Sequence, residues 1–167
     1  PLPFIGKLSV GLSGVLIIAL ILGNLRRTGG MNWTIPLSAN LVIRNLERAE
    51  DISRAAMKAG IKWRWETFPE FLDRVDSLPK GINYAGYIGH SALRTHVMGE
   101  RAFEKQATAD DMGAMEHELL DALDAGAIGF TSSRSTAHRL PQPDNRYVAS
   151  YHASWEEMSR LVCLMGT

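Results

Sequence analysis

The sequence predicts an α/β fold, a parallel sheet whose strands are joined by helices. Three features carry the prediction. Short apolar runs of the kind that parallel sheets bury on both faces recur at "VLIIALIL" (15–22), "INYAGYI" (82–88) and "AIGFT" (127–131). Segments with helix start and stop signals lie between and after them. The resulting order is strand, helices, strand, helix, strand, helix, an alternation that calls for a parallel sheet with helical crossovers. It amounts to about three βα units with extra helices. Either a small open sheet or three units of a larger barrel satisfies it, since a complete eight-unit barrel needs roughly 200 residues or more.

The elements follow in order. "VLIIALIL" ends at Gly23-Asn24 and reads as the first strand. The uncharged stretch around it, Leu8 to Leu22, is also short for a membrane span, which needs roughly 20 apolar residues. As a signal peptide it would have only Lys7 as a basic start, with Arg26-Arg27 where cleavage would fall. Leu41 to Lys58 is read as one helix ended by Gly60. Thr67 and Glu70 form a T-x-x-E capping box with Pro69 in the first turn. Phe68, Phe71, Leu72 and Val75 are assigned to that helix's inward face, and Pro79 and Gly81 stop it.

Ile82–Ile88 is the second strand, and "GHSALR" is read as the loop after it. A helix starts at Thr108 with Asp110 and Asp111 in its first turn, where acidic groups suit the helix dipole. It runs through Met112, Met115, Leu119, Leu120 and Leu123 to a C-cap at Gly126. Ala127–Thr131 is the third strand, and a polar loop follows, 132–149, with "PQPDN" signalling turns. The last helix begins at Ser154, with Glu157 closing a second capping box. Met158, Leu161, Val162 and Met165 are assigned inward, and Gly166 ends the helix.

Composition narrows the function. The chain has 167 residues, is 46% apolar and 22% charged, and so has material for a core. Eighteen basic residues balance eighteen acidic ones, which gives no electrostatic case for nucleic acid. The lone Cys163 excludes an intrachain disulfide and a CxxC metal site and fits a reducing, cytoplasmic setting.

Chemistry in parallel α/β folds gathers in the loops after the strands' carboxyl ends. Here those are 23–25, "GHSALR" and "TSSRSTAHR" (131–139). His90 stands at a strand mouth, as a substrate contact or as a histidine bonded to nearby backbone. Arg94 suits two-pronged carboxylate recognition or a structural ion pair. Arg134 is the stronger candidate for anion recognition, and His138 follows it. These four, His90, Arg94, Arg134 and His138, are the candidate substrate-binding residues; no catalytic residue is assigned. Ser132 and Ser133 lack the G-x-S-x-G elbow of serine nucleophiles and read as turn hydroxyls. His90 and His96 lack a third nearby ligand and H-x-H or H-E-x-x-H spacing, so no metal ligand is assigned. His117 and Asp121 share a helix face and read as solvated. Trp63 and Trp65 read as packing between helices.

Four strings then occur in one order with natural spacing: "AEDISRAAMKAGIKWRWETFPEFLD" (49–73), "GHSALRTHVMGERA" (89–102), "DALDAGAIGFTSSRSTAHR" (121–139) and "YHASWEEM" (151–158). Together they resemble the N-acyl-D-amino-acid deacylases (D-aminoacylases) of the amidohydrolase superfamily. The resemblance is strongest over 50–166; residues 1–40 are unlike the family apart from "LILGNLRR".

The resemblance implies a partial (β/α) barrel of the amidohydrolase type, so that 1–167 would be a fragment of the catalytic barrel domain. It implies a zinc-dependent hydrolase that cleaves the amide of N-acyl-D-amino acids, with a small-molecule substrate and no nucleic-acid partner. The family's H-x-H motif lies upstream of anything here, and its later histidine ligands and catalytic aspartate lie beyond Thr167. Leu25 stands where the family carries a cysteine ligand. The chain alone is therefore expected to bind no zinc, to be inactive, and to self-associate through the exposed edges of a truncated barrel. The alternative is a non-catalytic α/β remnant, associated with membranes through 8–22 and acting by binding.

Overall fold

The structure is a computed structural model, and it describes residues 37–49 and 52–166. The first predicted strand, the 8–22 stretch and Leu25 lie outside the described residues.

Helix α1 spans Leu37–Ala49 and α2 spans Arg54–Gly60. The single helix expected over Leu41–Lys58 is thus two. Ser53 explains the restart: its backbone is extended, and its hydroxyl accepts from Ala56 N, as an N-cap does. Gly60 is the last residue of α2 and does not cap it from outside. Helix α3, Phe68–Asp76, has the expected capping box, with Thr67 accepting from Glu70 N and Glu70 accepting from Thr67 N. Of its expected inward face only Val75 is buried; Phe68 packs half-buried against the core. Trp63 and Trp65 stack on one another with centroids 4.6 Å apart, and Trp65 meets Phe71.

Strand β1 is Ile88–Gly89 and β2 is Phe130–Thr131. They pair in parallel, Ile88 opposite Phe130 and Gly89 opposite Thr131. Both are much shorter than the apolar runs that contain them. Beyond the paired residues, Ile128 N donates to Gly86 O and Ile88 N to Gly129 O. Among the described residues no third strand extends this sheet. The parallel pair and its helical crossover match the predicted α/β arrangement, and two strands do not close a barrel.

The crossover contains helix α4 (His90–Met98), a 3-10 turn (Gly99–Phe103) and helix α5 (Ala109–Asp124). "GHSALR" is therefore not a loop: the chain turns helical directly at His90. Helix α5 opens with a capping box between Thr108 and Asp111. It ends at Ala125, and Gly126 follows with φ +109°, a conformation that favours glycine. After β2 comes the expected irregular segment, then a 3-10 turn (Ala149–His152) and helix α6 (Trp155–Leu164).

The main core joins Ile88 to Leu93 of α4, to Met112, Met115, Leu119 and Ala122 of α5, and to Leu161 of α6. Burying residues such as Met115 and Leu119 contributes about 1.5–3 kcal/mol each. A second cluster packs Leu41 of α1 on Met98, Phe103 and Leu140. Val162 and Met165, expected inward, are exposed, as is Leu120 of α5. Helix α6 buries a narrow stripe through Glu157 and Leu161, and that stripe excludes Val162.

A charged lattice holds α1 to the irregular segment after β2. Arg44 bonds Glu100 and Asp144, and Arg146 bonds Asp144, Glu100 and Glu104. Both guanidinium groups lie over the Phe103 ring.

Candidate functional site

Parallel pairing puts the carboxyl ends of β1 and β2 side by side, so the residues after each strand meet. His90 follows β1 and Ser132 follows β2, and His90 Nδ1 lies 2.9 Å from Ser132 Oγ. The other ring nitrogen, Nε2, lies 2.7 Å from Glu157 Oε1 on α6. The ring also packs on Phe130, with centroids 5.0 Å apart.

Glu157 is where the sequence reading departs most from the structure. Ser154 does cap α6, accepting from Glu157 N at 3.0 Å. The Glu157 carboxylate does not return to the cap and complete a box. It turns inward, where Oε1 takes His90 and Oε2 takes Arg94 Nη1. His90, Arg94 and Glu157 are 1%, 0% and 2% exposed. No local pattern announces this, because Glu157 is 67 residues from His90 and sits at a capping position.

Arg94 also donates to Lys105 O at 2.7 Å and to Ala102 O at 3.4 Å. Its Nε makes no hydrogen bond among the described residues. Every hydrogen bond of this guanidinium found there goes to another protein group. In this structure Arg94 is an ion-pair partner that holds Glu157, and it shows no exposed face to a ligand.

The electrostatics follow from burial. Loss of solvent pushes the His90 pKa down, against the opposing pull of Glu157, so the ring is neutral at pH 7. Burial alone would raise the Glu157 pKa, but His90 and Arg94 outweigh it and hold the carboxylate ionised. An ionised Glu157 fixes the proton of neutral His90 on Nε2, which leaves Nδ1 as the acceptor for the Ser132 hydroxyl.

Arg134 and His138 lie on the segment after β2. Arg134 is exposed, donates from Nη1 to Ala153 O at 2.8 Å, and its charge reaches His90. His138 Nδ1 lies 2.6 Å from Ser133 Oγ. Ser150 Oγ donates to Ser133 O, and Ser91 Oγ to Ser150 Oγ, which ties this segment to the start of α4. The fold therefore brings His90, Arg134 and His138 to the region beyond the strand ends. It draws Arg94 into the interior behind them.

His96 lies on α4 within 3.7 Å of Glu118, away from this cluster. His117 and Asp121 are 3.6 Å apart, and the His117 side chain is 73% exposed, the solvated face expected of them. Among the described residues no three of His, Cys, Asp and Glu gather as a metal site. Both His90 nitrogens have protein partners. These residues therefore do not fit a zinc centre.

No known-family profile matches the chain, and no solved structure matches it significantly. Among curated proteins it is similar to an uncharacterized protein of Mycobacterium tuberculosis, 31% identical over 106 residues, 60% of this chain and 17% of that protein. It is similar to a D-aminoacylase of Alcaligenes xylosoxydans xylosoxydans, 34% identical over 44% of this chain and 15% of that protein. An N-acyl-D-glutamate deacylase of the same organism is 45% identical over 30% of the chain and 10% of that protein. A putative transport protein of Serratia proteamaculans is 29% identical over 89% of the chain and 24% of that protein. The chain thus spans only 10% to 24% of the length of these relatives.

Proposed function

We propose that this chain is a segment of a hydrolase acting on the amide bond of N-acyl-D-amino acids, built on a (β/α) barrel. It supplies one wall of the substrate site and not the hydrolytic centre. The observation that carries the reading is the convergence of His90 and the 132–138 segment beyond two adjacent parallel strand ends, where such folds bind ligands. Partial likeness to two deacylases supports the reaction class.

The substrate offers a carboxylate and an acyl amide. Arg134, exposed and anchored by one nitrogen to Ala153 O, is the carboxylate partner. His138, held by Ser133, borders the acyl portion. Zinc, when present in a complete enzyme of this kind, lowers the pKa of a bound water and polarises the carbonyl. Among the described residues no group of His, Cys, Asp and Glu is placed to hold it.

The test uses the purified chain with N-acetyl-D-glutamate, with and without added zinc. No deacylation is expected, and turnover with zinc would overturn the assignment of the hydrolytic centre to other segments. Binding, read from chemical-shift changes, is expected to weaken roughly tenfold in Arg134→Ala, the size of one charge-assisted contact. Equal binding of the substrate's carboxamide analogue would overturn the role of Arg134.

A second reading is association with a membrane-transport assembly. It rests on the transport-protein likeness over 89% of the chain and on the uncharged 8–22 stretch. No described helix is long and apolar enough to cross a membrane. Tight partition of the expressed chain into membranes, resistant to salt, would favour this reading; recovery in the soluble fraction would remove it.

A further inference from the structure

We propose that Ser132, His90 and Glu157 form a metal-independent acyl-transfer triad, with Ser132 as nucleophile toward short carboxylic esters. The proposal stands apart from the amide-hydrolase reading, which places the reacting centre outside these residues.

Geometry carries it. A nucleophile–base–acid relay needs a hydroxyl bonded to one imidazole nitrogen and a carboxylate bonded to the other. Here Ser132 Oγ is 2.9 Å from Nδ1, and Glu157 Oε1 is 2.7 Å from Nε2. The three come from three separate elements: the residue after β2, the first residue of α4, and α6. Each has the exposure its role requires. Ser132 is exposed, His90 is buried behind it, and Glu157 is buried behind His90. Arg94 fixes the carboxylate from the far side. The Phe130 ring packs on the imidazole. Arg134, exposed two residues after Ser132, adds a positive charge whose field reaches His90.

The step balances without a co-reactant other than water. The Ser132 hydroxyl proton passes to Nδ1 as Oγ bonds the ester carbonyl carbon. The tetrahedral intermediate expels the alkoxide, which takes the proton from Nδ1 and leaves acyl-Ser132. Water then gives a proton to Nδ1 as its oxygen attacks the acyl carbon. Ser132 Oγ leaves and recovers that proton. The Nε2 proton stays on the ring throughout, facing Glu157.

The experiment treats the purified chain, in excess EDTA, with a fluorophosphonate and separately with p-nitrophenyl acetate. One adduct mapped to Ser132 by peptide mass spectrometry, with ester hydrolysis lost in Ser132→Ala, is expected. His90→Gln is expected to slow both reactions by about 100-fold or more. Since His90→Gln disturbs a buried network, Ser132→Cys serves as a second probe at an exposed position. Beside His90 its alkylation by iodoacetamide is expected to persist below pH 7, whereas an ordinary thiol titrates near about 8.5. A folded chain with no Ser132 adduct, or a Ser132→Cys thiol with ordinary pH dependence, would overturn the triad and leave the Ser132–His90 bond as packing alone.

Discussion

His90 Nε2 and Glu157 Oε1 lie 2.7 Å apart in the interior, joining the first residue of α4 to the stripe by which α6 enters the core. With Arg94 on the second carboxylate oxygen, the pair clamps two helices that are distant in sequence. Removing one member of a buried charge pair leaves the other unpaired and costs about 3–5 kcal/mol. Glu157→Ala is therefore expected to destabilise the chain by that amount, as read by urea unfolding. Arg94→Met with Glu157→Leu, which removes both charges, is expected to recover much of the loss. If the double variant is no more stable than Glu157→Ala, the charges are not the reason for the clamp.

The same burial makes stability depend on pH. The His90 pKa is depressed in the folded state, and so is that of His152, in each case chiefly by burial. The unfolded chain binds protons on these rings more readily, so stability is complete above the ordinary histidine value of 6.5 and falls as pH drops through the folded values. Thermal unfolding at pH 7 and pH 5 is expected to show a lower midpoint at pH 5. His152→Gln is expected to reduce that difference. An unchanged or rising midpoint on acidification would contradict the burial of both rings.

Asp111 makes a different acid transition. Its bonds to Arg101, ahead of those to Thr108, hold the pKa at about 2, below an ordinary value of 3.8. The stability it contributes is present above 3.8 and is lost as pH falls toward 2. Arg101 is half exposed, so solvent screens much of that pair. Thr108→Ala removes the cap on Asp111 N and is expected to cost about 1 kcal/mol at pH 7. Denaturant midpoints for the unsubstituted chain and Thr108→Ala at pH 7 and pH 3 check both statements.

Helix α5 offers a paired test of its facing. Leu119→Ala, at a fully buried position, is expected to cost about 2–5 kcal/mol through lost burial and the cavity left behind. Leu120→Ala, at a position 39% exposed, is expected to change stability by no more than about 0.5 kcal/mol. Similar losses at the two positions would mean that the helix is rotated from the orientation described.

Two glycines test the backbone beside β2. Gly126→Ala meets no atom within 4 Å but is held at φ +109°, so its cost of about 1 kcal/mol would be conformational. Gly129→Ala would meet the Tyr87 ring at 3.2 Å as well as a φ of +154° and is expected to cost more. Unfolding curves for the two should rank them in that order.

Local signals were legible wherever a residue's partner is close in sequence. Thr67 with Glu70, Thr108 with Asp111, Ser154 as a cap and Gly126 after a helix were all read from spacing alone, because caps involve groups within a turn of one another. The parallel order of the two described strands was legible from the helix-bearing chain between them. Local reading failed where a residue served two ends. "GHSALR" carries the polar residues of a loop, yet it is helical because α4 buries Leu93 and Arg94 against its neighbours. Ser53, a cap inside an apolar pattern, divides what the pattern presents as one helix. Glu157 fits a capping position, and only the packing of α6 against α4 turns its carboxylate to His90 and Arg94. A buried histidine and arginine need that charge more than the cap does, since an exposed backbone N–H has water as a substitute and a buried guanidinium does not. Spacing therefore decided where helices begin and end, and tertiary packing decided which side chains meet beyond the strands.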